Sequence, residues 1–215
     1  MTRRTAMLLF PGFTALDAIG PYHALAALPG HEFLFVAERA GSISDGAKVT
    51  LQVQHSIDHV DHVDLLVVPG GLPAVGMART GHPLVEWIRR VHPTTTWTTS
   101  VCTGALMLGA AGVLEGRAAT THWFCRDELA LYGAVPTDQR VVRDGKVVTA
   151  AGVSAGIDMA LMLTELIAGT DYAHAIQLDM EYDPEPPLDG GHPSKTPHAI
   201  TDQVRSMYQA MLDAM

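Results

Sequence analysis

The stretch Thr98-Thr99-Ser100-Val101-Cys102-Thr103-Gly104-Ala105-Leu106 changes character at its centre. Up to Val101 the residues are mainly β-branched or small and predict a buried strand over 95–101. After Cys102 a small residue and a glycine open a predicted helix over 104–113. Its small side chains permit close packing on a sheet. A cysteine at such a junction is forced into a sharp turn that holds its sulfur over the sheet edge. That geometry is a nucleophile elbow, and it suits a reactive thiol better than a packed one. Packing alone is the competing explanation, because cysteine is among the residues most often buried. Unpaired N–H groups and the positive end of the helix dipole would then lie near the sulfur, and both favour a thiolate.

Outward from this junction, apolar runs alternate with helical patterns. Strands are predicted over 5–10, 32–37, 64–68 and 118–121. Asp144-Gly145 reads as the turn of a hairpin between 141–143 and 146–150. Helices are predicted over 15–28, 83–91, 124–132, 154–168, 172–182 and 199–215. Pro21 should kink or break the first of them. The run over 64–68 ends in Pro69-Gly70-Gly71, as a central parallel strand feeding a tight loop would. Residues 183–197, rich in Pro and Gly, read as a long loop. The alternation predicts an α/β fold with a mostly parallel sheet and helices on both faces.

With 215 residues, one domain over 1–215 is the expectation. Hydrophobic residues make up 47% and charged residues 17%, as in globular enzymes rather than disordered chains. The formal net charge is -9 with no basic stripe, so nucleic acid is not an expected partner. No run approaches the ~20 apolar residues that span a bilayer, and the start at Met1-Thr2-Arg3-Arg4 reads as leading into a strand, not a signal peptide. Only Cys102 and Cys125 occur, which argues against a disulfide scaffold and for a reduced, cytoplasmic setting.

Ligands of open α/β sheets bind beyond the carboxyl ends of the strands. Asp17, Gly70-Gly71, Cys102 and His122 all fall at such ends. The amides of Gly71 and Thr103 are candidates for an oxyanion pocket. Asp17 opens a helix, where a capping or first-turn carboxylate is common. If it faces the thiol in an apolar pocket instead, its pKa should rise and it can pass a proton to substrate. The Thr103 hydroxyl either joins the site or merely starts its helix. His122, in Thr120-Thr121-His122-Trp123, is a base completing a Cys-His pair or a structural histidine beside an aromatic. Cys125 reads as core, and Ile19, Trp123 and Phe124 are candidate pocket walls.

Other signals are weak. His55, His59 and His62 have helix-like spacing, but the aspartates among them make a solvated face the better reading than a zinc site. Neither GxGxxG nor GxxxxGK[ST] occurs, so nucleotide binding has no support.

Phe13-Thr14-Ala15-Leu16-Asp17-Ala18-Ile19-Gly20-Pro21, Val68-Pro69-Gly70-Gly71, Ser100-Val101-Cys102-Thr103-Gly104 and Ala119-Thr120-Thr121-His122-Trp123 resemble the DJ-1/PfpI superfamily. The likeness runs on through Gly152-Val153-Ser154-Ala155-Gly156-Ile157-Asp158. Within the superfamily these motifs, with the loop Tyr182-Asp183-Pro184-Glu185-Pro186-Pro187, are most similar to the isonitrile hydratase group. The resemblance implies a flavodoxin-like three-layer sandwich, usually a homodimer, with no metal or organic cofactor. It implies a small-molecule isonitrile as substrate and an N-substituted formamide as product. It also implies that Cys102 is the nucleophile, that Asp17 is essential and that Thr103 belongs to the site. Other branches carry a glutamate where Asp17 stands. Two alternatives are a glyoxalase- or amidase-like cysteine hydrolase relying on His122, and a redox stress-response protein whose Cys102 oxidises to a sulfinic acid.

Overall fold

The computed structural model describes residues 2–214. In chain order it contains β1 (Arg3–Leu8), α1 (Ala15–Leu25), β2 (His31–Ala37), β3 (Gly41–Ser44), β4 (Thr50–Val53), β5 (His55–Ser56), β6 (Leu65–Val68), α2 (Leu72–Thr80), α3 (Pro83–Val91), β7 (Trp97–Val101), α4 (Gly104–Ala110), β8 (Ala118–Ala119), β9 (Val135–Pro136), β10 (Val141–Asp144), β11 (Val147–Ala150), α5 (Ala155–Ala168), α6 (Thr170–Asp179) and α7 (His198–Asp213). Met1, and Met215 at the end of the predicted last helix, lie outside the described residues.

Among the described residues the central sheet has seven strands in the order β10-β11-β7-β6-β1-β2-β5. All neighbours are parallel except β10 and β11, which form the hairpin that Asp144-Gly145 predicts. Helices α1, α5 and α6 pack together on one face, and α2, α3 and α4 on the other. The three layers match the mostly parallel, doubly covered sheet that the alternation predicts and the flavodoxin-like fold that the resemblance implies. Leu65, Leu66, Val67 and Val68 are all fully buried, because helices cover their strand on both sides.

The order of strands decides where a ligand can sit. From β1 the chain moves to β2 on one side and later returns to β6 on the other. This reversal is the topological switch point of the sheet, where ligands of such folds bind, and here the loops after β1 and β6 meet at the carboxyl edge, the Thr14 amide donating to the Gly70 carbonyl at 2.8 Å. Asp17 follows β1, Gly70-Gly71 follows β6, and Cys102 follows the neighbouring β7. Gly104 is what lets β7 turn so tightly there. A Cβ on it would lie 2.2 Å from the Val68 carbonyl oxygen, so no other residue fits without moving the end of β6.

Several expectations need correction. The strand predicted over 118–121 shrinks to β8, which pairs with β9 in a separate ladder and stays out of the central sheet. Thr120 instead donates its amide to the Thr149 hydroxyl, at 2.9 Å, and the chain leaves strand geometry. Trp123–Tyr132 is a 3₁₀ segment rather than an α-helix. Helix α1 runs through Pro21 without a break and ends earlier than predicted, at Leu25. Helix α2 and the β3–β4 hairpin were not predicted. His55 lies on β5 and His59 on a 3₁₀ turn, so the three histidines share no helix face. Among the described residues no cluster of three or more His, Cys, Asp or Glu side chains is placed to hold a metal.

Candidate active site

Cys102 has φ +55°, a left-handed conformation rare for a residue with a side chain. Such a residue costs ~1–3 kcal/mol and persists only where its surroundings fix it. Here the Cys102 amide donates to the carbonyls of Ala150 (3.1 Å) and Ala151 (2.8 Å), and its own carbonyl accepts from the Thr121 hydroxyl at 2.6 Å. The end of β11 and the segment after β8 thus grip the elbow from both sides. The sulfur receives hydrogen bonds from the amides of Thr103 and Val153. Val153 itself has φ +20°, so two strained residues meet at one sulfur.

Asp17 sits in the first turn of α1 yet is fully buried. Its Oδ2 accepts the Gly70 amide at 2.8 Å, and the carboxyl is hydrogen-bonded to the Cys102 thiol. Oδ1 has no hydrogen-bond partner among the described residues. Gly70 leaves no room for a side chain: a Cβ would come within 2.6 Å of the Thr103 nitrogen and 2.9 Å of Asp17 Oδ2. Gly70 therefore positions the carboxyl and is not an oxyanion donor.

The amide of Gly71 is also committed. It donates to Thr103 Oγ1 at 2.9 Å, and that hydroxyl donates to the Gly71 carbonyl at 2.9 Å. The predicted oxyanion pair of Gly71 and Thr103 is not present, since one amide is held by a side chain and the other faces the sulfur. Thr103 instead ties the loop after β6 to the start of α4.

Burial dominates the electrostatics. It lifts the Asp17 pKa to about 7 against the lowering effects of the Gly70 amide and the Cys102 thiol. It also pushes the Cys102 thiol up, aided by the neighbouring Asp17 charge and opposed by the Thr103 and Val153 amides. The resting thiolate expected from a helix start is therefore not what the surroundings favour: desolvation outweighs the two N–H donors.

A cavity of about 140 Å³ lies over the thiol. Cys102, Thr103 and His122 line it together with Val75 of α2, Phe124 of the 3₁₀ segment and Tyr208 of α7. A profile of the DJ-1/PfpI family matches residues 3–166. The chain belongs to the DJ-1/PfpI family. It is 40% identical to an isonitrile hydratase from Pseudomonas putida over 205 residues, which cover 95% of this chain and 90% of that protein. It is 33% identical to the deglycase PfpI of Pyrococcus furiosus over 135 residues, 62% of this chain and 80% of that one. Among solved structures, a ThiJ/PfpI family protein from Pseudomonas syringae superimposes with a TM-score of 0.91 at 33% identity, covering 99% of this chain and 88% of the other.

Two predicted pocket walls of this DJ-1/PfpI member lie elsewhere. Ile19 is 40% exposed on the outer side of α1. Trp123 does not line the cavity; its ring lies under the Arg205 guanidinium, 5.2 Å away. His122 does line it, but in a form unsuited to a base. Its Nδ1 accepts the Phe124 amide at 3.4 Å, which places the ring proton on Nε2. Burial drops its pKa to about 4, so the ring is neutral.

Seven cavity residues escaped prediction: Thr14, Leu72 and Val75 from the loop after β1 and from α2, and four others. Cys125 is buried but lines the cavity, its thiol pushed up to about 12 by burial first and Glu128 next. Val153 has an ordinary side chain, and only its backbone conformation makes it notable. Tyr208 and Leu212 come from a helix more than a hundred residues past the elbow, with no local signal tying them to it. Residues 183–197 contribute nothing to the lining.

Proposed function

We propose that this chain hydrates an isonitrile to an N-substituted formamide, with Cys102 as nucleophile and Asp17 as the proton carrier. One observation carries the reading: a buried carboxyl with a pKa of about 7 is hydrogen-bonded to a buried thiol beside a cavity. The 40% identity to the Pseudomonas putida isonitrile hydratase supports the substrate class. The terminal carbon of an isonitrile accepts both a nucleophile and a proton, and the pair supplies one of each.

The competent form of the pair holds a single proton. As the Cys102 sulfur bonds to the isonitrile carbon, the thiol proton passes to Asp17, and the carboxyl delivers it to the same carbon. The product is a thioimidate, R–N=CH–S–Cys102. The regenerated carboxylate takes a proton from water as the oxygen adds to that carbon, and the carboxyl then gives this proton to the nitrogen. Collapse of the tetrahedral adduct breaks the C–S bond and returns a proton to sulfur, leaving R–NH–CHO. Every step is an addition, an elimination or a proton transfer, so water alone balances the reaction. The Thr103 and Val153 amides steady the sulfur while it carries negative charge. Thr103 acts by holding Gly71, and Gly70 by aiming Asp17. General acid–base help of this kind is typically worth ~10²–10⁴ in rate.

The test is formamide production from cyclohexyl isocyanide. Wild type should turn over and Cys102→Ala should not. Comparable turnover by both would end the reading. Intact mass of a slowed variant mixed with substrate should show the protein plus one isonitrile.

We also infer a homodimer. Leu16, Ile19 and Tyr22 are 43%, 40% and 38% exposed and fall at a helical spacing that makes one apolar stripe on α1. Light scattering should give twice the chain mass, and Ile19→Lys should shift it toward the single chain. A wild-type monomer at micromolar concentration contradicts the inference.

A further inference from the structure

We propose that α7 selects the substituent the isonitrile carries, through Tyr208 and Leu212; this rests on the reading of the cavity as an isonitrile site. The isonitrile head is linear, has no hydrogen-bond donor and is the same in every substrate. Only the substituent has a shape to recognise. The lining offers both kinds of surface. Cys102, Thr14, Thr103, His122 and Tyr208 bring polar atoms, whereas Leu72, Val75, Phe124 and Leu212 are apolar. A space of about 140 Å³ accommodates a compact branched or cyclic hydrocarbon group.

Helix α7 is the part of this wall most free to define specificity. The other walls belong to the sheet edge, to α2 or to the segment that grips the elbow, and their replacement would disturb the chemistry. By contrast α7 has no fully buried residue. Thr201, Val204, Tyr208 and Leu212 are its half-buried positions, and they recur at the spacing of a single helix stripe. The stripe is fastened by aromatic contacts. The Tyr208 ring lies 5.2 Å from Phe124 at 35° and meets the His122 ring edge-on at 5.2 Å, while Arg205 covers Trp123. Tyr208 is thus held in place as a wall by Phe124, and Leu212, one turn further on, lines the same cavity. Removing the Leu212 side chain lengthens the cavity without touching the thiol, the carboxyl or the loops that aim them.

The experiment compares kcat/KM for cyclohexyl isocyanide and n-octyl isocyanide in wild type, Leu212→Ala, Leu212→Phe, Tyr208→Ala and Tyr208→Phe. Leu212→Ala should shift the ratio toward the octyl compound by roughly 10-fold or more, and Leu212→Phe should shift it the other way. Tyr208→Phe keeps the ring and should keep the wild-type ratio; Tyr208→Ala should relax it. Ratios within twofold of wild type for both alanine variants would overturn the proposal while leaving hydration intact. If wild type hydrates neither compound, the functional reading fails separately. The role of α7 is then decided by the rates at which N-methylmaleimide and N-cyclohexylmaleimide alkylate Cys102 at pH 9, read by the mass of the peptide that carries Cys102. The same alanine variants should favour the larger reagent, and an unchanged ratio would overturn the proposal by this route as well.

Discussion

The carboxyl of Asp17 touches the thiol of Cys102, and burial moves both groups toward their protonated forms. An isolated acid of this kind is ionised at neutral pH and an exposed thiol partly so. Here neither the free thiolate nor the free carboxylate is cheap, so the two titrate as a unit. The unit gives up its first proton at about pH 7, when Asp17 ionises, and holds the second well above that. A site that must attack a carbon and protonate it in one encounter needs just such a singly protonated pair.

The pH dependence of kcat/KM follows. Below about pH 7 Asp17 is protonated and cannot accept the thiol proton. The rate should fall on the acid side with a single ionisation at about pH 7, and should hold level through pH 9, because the Cys102 thiol is raised. A profile that is flat from pH 5 to 8 contradicts the assignment.

Stability should run against activity at Asp17. Its folded pKa of about 7 exceeds the ordinary 3.8, so between these values the native state binds more protons than the unfolded chain. The favourable contribution is complete below pH 3.8 and is lost as pH rises through about 7. Asp17→Asn keeps an oxygen for the Gly70 amide and removes the buried charge. At pH 8 the variant should be more stable than wild type by on the order of 3 kcal/mol, and the gap should narrow at pH 5. Its hydratase rate should drop ~10²–10⁴-fold. Equal denaturation midpoints at pH 8 would remove the electrostatic account.

The same substitution should make the thiol more acidic. Asp17 is the second largest cause of the raised Cys102 pKa, after burial. Iodoacetamide should label wild-type Cys102 slowly at pH 8.5 and Asp17→Asn several times faster. If removing the carboxylate slows labelling or leaves it unchanged, the two groups do not repel as charges. A sluggish wild-type thiol also disfavours the peroxide-sensor reading, which needs a thiolate at rest.

Thr103 acts through its hydroxyl on the Gly71 amide and carbonyl, both at 2.9 Å. Thr103→Val keeps the shape and strands a buried N–H, which should cost about 1–3 kcal/mol in urea unfolding. Thr103→Ser should restore both stability and kcat. A valine variant as stable as wild type would mean that water replaces the hydroxyl.

Most of the sheet was readable from period and punctuation. The fully apolar β6, the β-branched β7 and the Asp144-Gly145 turn each had one reading, and the structure has all three. The elbow was readable because strand, cysteine and glycine meet only where a turn is sharp. What stayed hidden was directional. A sequence says that Gly71 has a free amide, but not that the Thr103 hydroxyl occupies it. It places Ile19 two residues from Asp17, and a helix then turns them to opposite sides. It predicts a helix over 199–215 and leaves open which surface that helix covers. The thiolate expectation failed for a related reason: a helix start was legible, and the depth of burial that overrides it was not.

His122 separates hydration from Cys-His hydrolysis. A hydrolase base must accept a proton near neutral pH. This ring has a pKa of about 4, and the nitrogen that could accept is turned to the Phe124 amide. Its visible work is structural: it caps the 3₁₀ segment and packs edge-on against Tyr208, 5.2 Å away. His122→Asn retains a short side-chain oxygen for the Phe124 amide and gives up the ring. The variant should keep kcat within about tenfold of wild type, raise KM through the loosened Tyr208, and leave the acid limb of the pH profile in place. A loss of ~10³-fold or more in kcat with the limb abolished would make the histidine the base after all, and would return Asp17 to a supporting part.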